Sequence, residues 1–292
     1  MFSRPLRALL PALLAVSVAA PLSSAEVPAP APVRPPAGLT EARYTVVRQN
    51  IRAAERMAAG YGQARRAGAL RAMADPARRF LSFDGRDGGR AAEVFGDLAK
   101  AGRVAVIVPG SDTGLERYGR LRSGALALRR ELGAEAAVVA WLGYQPPSML
   151  SAAVLTTARA DEAAPALQAL VRELGASRVS LLCHSYGAVV CGRAAPGLGG
   201  VANIVLYGAP GTGTTAPLRT TAPVWAARGA GDWIANVPHT QVRLPFVTVG
   251  LGLDPIESGA RVFAAGAGGH SDYLRPGSLS LRAIAAIVSG HE

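Results

Sequence analysis

The sequence of 292 residues predicts an α/β protein: a mostly parallel sheet with helices on both faces, preceded by an N-terminal helical pair. Three observations carry this prediction. Apolar or nearly apolar runs at 104–108, 136–142, 179–183 and 201–207 show no polar face, as strands covered on both sides require. Stretches with helical spacing, 118–132, 162–174 and 186–194, alternate with those runs, which is how parallel strands are connected. The length fits one large domain with an ample core, and no internal repeat is visible.

Taken in order, residues 1–25 read as a secretory signal. Arg4 and Arg7 give a positive start, 9–20 is a short apolar run, and Ser23-Ser24-Ala25 supplies small residues for cleavage after Ala25. The expected location is therefore secreted or extracytoplasmic. The apolar run is too short, and too interrupted by Pro11 and Pro21, for a good membrane span. Residues 26–37 are a proline-rich tether, expected to be extended and poorly ordered. The N-terminal helical region covers 38–76. Thr40 has the character of an N-cap, and Val46, Val47, Ile51, Ala54 and Met57 fall at helical spacing. Gly60 and Gly62 break this helix, a second stretch runs to Ala74, and Pro76 stops it. The pair is expected to pack on the main domain or to lid it.

The main domain is read as 77–292. Residues 80–84 and 91–95 form a hairpin around a glycine-rich turn, and the alternation of strands and helices follows. Further strands are expected at 224–228 and 261–265, and a closing helix at 279–289.

The formal charge is +11, falling to +9 once Arg4 and Arg7 leave with the signal. Such a balance makes an anionic cell-envelope surface a candidate partner. The arginines form no long run, however, which favours scattering over solvated faces. No nucleic-acid motif is present and aromatic residues are only 5% of the chain, so no nucleic-acid partner is expected. Without C-x-x-C or clustered histidines, no metal and no cofactor are expected either. Two cysteines in an exported protein invite a disulfide. Cys183 ends a strand and Cys191 lies well inside the next helix, however, and the expectation is that they do not pair.

The most telling stretch is Val179-Ser180-Leu181-Leu182-Cys183-His184-Ser185-Tyr186-Gly187-Ala188-Val189-Val190. A strand delivers a serine into a sharp turn, and a helix begins at once; that layout exposes a nucleophile at a helix N-terminus. An activated serine needs a base, an orienting acid and oxyanion donors, which in such a sheet gather beyond the strand ends. His270 follows the last strand in a glycine-rich loop and is preferred as base over His239, in a loop before that strand, and His291, at the frayed end. The elbow's own His184 points away from its neighbour Ser185. Asp232, after the turn Gly229-Ala230-Gly231, is preferred as acid over Asp254, which reads as a turn residue before Pro255. Asp272 is expected to stay local. The backbone N–H groups of Tyr186 and Ser111 are the candidate oxyanion donors.

On these residues the chain resembles the α/β-hydrolase superfamily. More narrowly, it is similar to an actinobacterial family of secreted or cell-associated α/β hydrolases of unknown function. The resemblance rests on Val104-Ala105-Val106-Ile107-Val108-Pro109-Gly110, Val139-Ala140-Trp141-Leu142-Gly143-Tyr144-Gln145-Pro146-Pro147 and the serine elbow. Gly229-Ala230-Gly231-Asp232, Leu253-Asp254-Pro255 and Gly269-His270-Ser271-Asp272-Tyr273-Leu274 complete it. That family normally carries glycine where this chain has Cys183. The resemblance implies a serine hydrolase. A carboxylic ester, small or lipid-like, is the expected substrate. Acyl transfer by the same residues, or non-catalytic binding of an envelope component, are the alternatives.

Overall fold

The computed structural model describes residues 27–243 and 248–291, so the signal-peptide reading of residues 1–25 lies outside the described residues. The N-terminal pair is α1 (Glu41–Gly60) and α2 (Ala64–Met73). Thr40 caps α1, its hydroxyl accepting the Arg43 N–H at 3.3 Å. The antiparallel hairpin β1 (Arg79–Asp84) and β2 (Arg90–Phe95) follows. Then come β3 (Arg103–Val108), α3 (Tyr118–Leu132), β4 (Ala136–Leu142) and α4 (Ala158–Leu174). Next are β5 (Val179–His184), α5 (Tyr186–Ala194), β6 (Asn203–Tyr207) and β7 (Val224–Ala227). A ribbon of β8 (Val242–Arg243) and β9 (Thr248–Val249) precedes β10 (Arg261–Val262) and α6 (Leu279–Ser289). The ribbon was not expected, because strands of two residues leave no periodicity to read.

The main sheet has the order β1-β2-β4-β3-β5-β6-β7-β10. Neighbours from β4 through β10 pair in parallel, and β2 runs against the rest. Alternation along each strand feeds two cores. Val104, Val106 and Val108 of β3 face the layer of α4 and α5, whereas Ala105 and Ile107 face α1, α3 and α6. All seven residues of β4 are buried; each large apolar side chain so placed contributes about 1.5–3 kcal/mol. Glu93 of β2 is tolerated inside because Arg78 holds it with two contacts of 2.7 and 2.8 Å.

Two expectations need revision, and a third, that the helical pair packs on the main domain or lids it, resolves to packing. The described part of the proline-rich tether is docked rather than loose. Asn50 of α1 accepts the Val33 N–H at 2.9 Å and donates to the Val33 carbonyl at 2.8 Å. It acts as a one-residue strand partner, while Val27 and Ala29 pack on the core. The helical pair is a brace: α1 lies on β1, and Arg66 of α2 reaches Glu116 and the Gly88 carbonyl. The second revision concerns the cysteines. Cys183 and Cys191 are joined in a disulfide, with Cα atoms 6.4 Å apart. The elbow reverses the chain so tightly that α5 lies back along β5, which brings its second turn over the strand end.

Candidate active site

The reversal happens at Ser185, whose φ of 53° and ψ of −126° lie outside the regions ordinary residues occupy. Two neighbours hold it there. The Ser185 N–H donates to the Tyr207 carbonyl at 3.1 Å, extending the β5–β6 ladder through the turn. From the other side the loop after β3 presses in at Gly110. A Cβ at that position would lie 2.5 Å from the Ser185 Cβ, so only glycine allows this approach.

The loops after β7 and β10 bring the other partners. Gly229 faces the Gly268 carbonyl so closely that a Cβ would meet it at 2.3 Å. This contact lets the loop carrying His270 lie against the loop carrying Asp232. His270 Nδ1 is 2.9 Å from Asp232 Oδ1 and 3.1 Å from Oδ2, and His270 Nε2 is 2.9 Å from Ser185 Oγ. A carboxylate can only accept, so Nδ1 carries the proton and the Nε2 lone pair faces the serine hydroxyl. Asp232 also accepts the Ile234 N–H at 2.9 Å and the Tyr273 hydroxyl at 2.6 Å. Burial disfavours its charge, but the hydrogen bonds from His270, Tyr273 and Ile234 outweigh burial and hold the carboxyl below its ordinary value.

The expected oxyanion donors flank the serine. Tyr186 is the first residue of α5, where a helix N–H has no partner within the helix. Its side chain is tied elsewhere, its hydroxyl donating to the Thr156 carbonyl at 2.7 Å. Ser111 lies in the loop that Gly110 brings against Ser185, and its hydroxyl is buried without a hydrogen-bond partner among the described residues. That loop is braced from β4's end. Tyr144 donates to the Pro109 carbonyl at 2.6 Å, and the Asp112 N–H donates to the Pro147 carbonyl at 3.1 Å.

The rival residues take no place in the Asp232–His270–Ser185 relay. Asp254 is ion-paired with Arg228 at 2.7 Å, with His239 nearby at 3.7 Å. Asp272 accepts the Gly269 N–H at 2.9 Å and so shapes the His270 loop. His291 follows the end of α6 and is exposed. His184 does not face the serine hydroxyl; its Nε2–H donates to the His270 carbonyl at 2.7 Å. Burial first, and then the nearby His270, push its pKa down to about 4, so this donor ring is neutral near pH 7.

The sequence reading assigned no role to Tyr273 or to His184. Tyr273 had one usable signal, its place three residues after His270 in the same loop. A cavity of about 670 Å³ opens over Ser185 and His270, lined also by Ser111, Tyr207 and Trp233. The Trp233 ring, 45% exposed, sits 4.8 Å from the His270 ring at its mouth.

A sheet of this order, with a serine elbow after its fifth strand, is the fold of an α/β hydrolase. Residues 84–242, more than half of the chain, match the model of a family described as Alpha/beta hydrolase, and the chain belongs to that family. Its relatives include the uncharacterized protein Rv2079 of Mycobacterium tuberculosis, 32% identical over 254 residues, 72% of this chain and 38% of that protein. The uncharacterized protein Mb0988c of Mycobacterium bovis is 30% identical over 137 residues, 41% of this chain and 52% of that protein. The chain thus matches between 38% and 52% of the length of these curated relatives. They fit the actinobacterial family of unknown function that the motifs resemble. Among solved structures, EstE5, soaked with p-nitrophenyl butyrate, superposes with a TM-score of 0.50 at 12% identity, covering 73% of this chain and 83% of that one. The esterase LipW of Mycobacterium marinum gives a TM-score of 0.48 at 16% identity, covering 87% and 90%.

Proposed function

We propose that the protein is a secreted serine hydrolase acting on carboxylic esters through an acyl-enzyme. The observation that carries this reading is the unbroken relay from Asp232 through His270 to Ser185, with 2.9 Å at each joint. In the proposed cycle, Ser185 Oγ attacks the ester carbonyl carbon while its proton passes to His270 Nε2. Asp232 orients the ring and stabilises the imidazolium. The N–H groups of Tyr186 and Ser111 receive the oxyanion. His270 returns the proton to the departing alcohol oxygen as the C–O bond breaks, leaving an ester on Ser185. Water, deprotonated by the same ring, then releases the acid and restores the serine.

Export is part of the reading. It is supported by the signal-like first 25 residues and by a disulfide, which persists in oxidising compartments. Intact-mass analysis of secreted protein should show a chain beginning at Glu26; full-length protein confined to the cytosol rules export out.

The direct test is labelling with a fluorophosphonate probe together with turnover of p-nitrophenyl butyrate. Wild-type protein should label and turn over, and Ser185→Ala should do neither, losing on the order of 10⁶ in kcat. Labelling at another serine, or undiminished turnover by the variant, rejects the assignment.

A further inference from the structure

We propose that the cavity over Ser185 takes esters bearing an anionic group, a carboxylate or a phosphate, attracted by Arg120, Arg130 and Arg275 spread along its wall. The proposal rests on the reading of Ser185 as nucleophile and names the substrate class for that site.

The cavity's shape comes first. It extends from Ser185 along one face of α3, lined by Arg120, Gly124, Ala127 and Arg130. Residues three and four apart share a helix face, and ten residues of helix span about 15 Å. Between the two arginines the walls are mostly apolar, Leu121, Leu126 and Ala127 from α3, Ile107 from β3 and Leu274 opposite, with Ser123 the one polar lining side chain of that stretch of α3. Leu274 packs directly on Gly124, where a Cβ would meet it at 3.0 Å. A chain lying in this groove is flanked by apolar side chains, with a guanidinium group at each end of the α3 face: Arg120, whose charge reaches His184 beside the serine, and Arg130 further out.

The charge pattern comes second. Arg120, Arg130 and Arg275 all line the cavity and are exposed. None of the three side chains has a hydrogen bond or an ion pair among the described residues. Their neighbours do: Arg122 of α3 contacts Glu93 at 3.4 Å, and Arg117 contacts Asp112 at 3.8 Å. Among the described lining residues Asp112 is the one carboxylate, and Arg117 already contacts it, so the three guanidinium groups outnumber the carboxylate charge of the wall. Guanidinium forks match carboxylate and phosphate oxygens in two-point contacts, and their field repels a cationic head. The side of the ester that bears the anion is left to two arms of the test.

Binding is measured first, on Ser185→Ala protein so that chemistry plays no part. At low salt, n-octyl phosphate should bind about tenfold tighter than n-octanol, through attraction to the exposed guanidinium groups. The preference should collapse in the same protein carrying Arg120→Gln, Arg130→Gln and Arg275→Gln, and should weaken at high ionic strength. Thermal melting checks that the substituted protein is folded.

Turnover is measured second. Mono-p-nitrophenyl suberate against p-nitrophenyl octanoate tests an anion on the acyl side. 4-(Octanoyloxy)benzoate against phenyl octanoate tests one on the alcohol side. A higher kcat/KM for the anionic partner in either arm, lost with the three arginines, supports the site. Equal binding of phosphate and alcohol, with equal kcat/KM in both arms, overturns it while leaving the hydrolase reading intact. Arginine-dependent binding of octyl phosphate with no ester turned over supports the anion site and defeats the hydrolase reading instead.

Discussion

The Tyr273 hydroxyl lies 2.6 Å from Asp232 Oδ2 and accepts the Gly229 N–H at 2.9 Å. One phenol therefore both donates to the proposed orienting acid and fixes the loop that carries it. Tyr273→Phe should remove a donor from the carboxylate and strand the Gly229 N–H. A kcat loss of about tenfold is expected, with about 1–2 kcal/mol of stability lost to the buried amide. The acid limb of the pH–rate profile, which reports protonation of the base His270, should move up, because an Asp232 carboxylate that no longer shares its charge with the hydroxyl stabilises the imidazolium more. A profile unmoved in the variant would show that Tyr273 acts only as packing.

Asp232 and Asp254 should separate cleanly by readout. Asp232→Asn leaves His270 in the wrong tautomer and should cost on the order of 10⁴ in kcat. Asp254→Asn instead leaves the partly buried Arg228 without its carboxylate, and should cost about 2–3 kcal/mol of stability with kcat nearly unchanged. Urea unfolding and ester turnover on both variants check this. A crippled but stable Asp254→Asn protein reverses the assignment.

Gly110→Ala tests the approach of the loop after β3. The added methyl would lie 2.5 Å from the Ser185 Cβ and 3.0 Å from the His184 carbonyl. Either the loop withdraws, taking Ser111 with it, or the serine leaves its place. Displacement by about 1 Å at a reacting centre costs about 10² in rate. A folded variant with normal kcat would mean that Ser111 plays no part in oxyanion binding.

The sheet and elbow were legible because their signals are local: apolar runs, helical spacing and turn residues within about twenty positions. The three candidate triad residues were legible from chain order at strand ends. Contacts across long sequence separations were not. The Tyr273–Asp232 bond joins positions 41 residues apart. Asn50 anchors the tether 17 residues back, through a pairing that composition cannot signal. The disulfide was misread for a different reason. Its residues are only eight apart, but the sequence reading let strand and helix diverge where the elbow folds them together.

That disulfide gives a stability prediction. Closing a loop of this length restricts the unfolded chain by about 2–3 kcal/mol. Cys183→Ala with Cys191→Ala should lower the unfolding free energy by that amount, read as a lower urea midpoint with little change in slope. Both sulfurs lie in the core, fully buried, so mild reductant should act slowly on the folded protein. Two free thiols titrated in unfolded, unreduced wild-type protein would contradict the bond.

His184 gives the protein an acid-sensitive stability. Its folded pKa is about 4, against about 6.5 for an unperturbed histidine. Between those values the unfolded chain binds a proton that the folded ring does not. Lowering the pH therefore favours unfolding. The contribution is fully present above about pH 6.5 and falls by roughly 2–3 kcal/mol as the pH approaches 4. Asp232, also lowered, adds a loss in the same direction at still lower pH. Urea midpoints from pH 7.5 to 4 should decline in wild-type protein. In His184→Gln, whose amide still donates toward the His270 carbonyl but does not titrate, the decline, converted to free energy through the slope, should be shallower by that amount. The two proteins share every other ionisable side chain, so the difference between the two curves isolates residue 184. Parallel curves would show that His184 is not held neutral by its burial, and that the His270 loop is secured by other contacts.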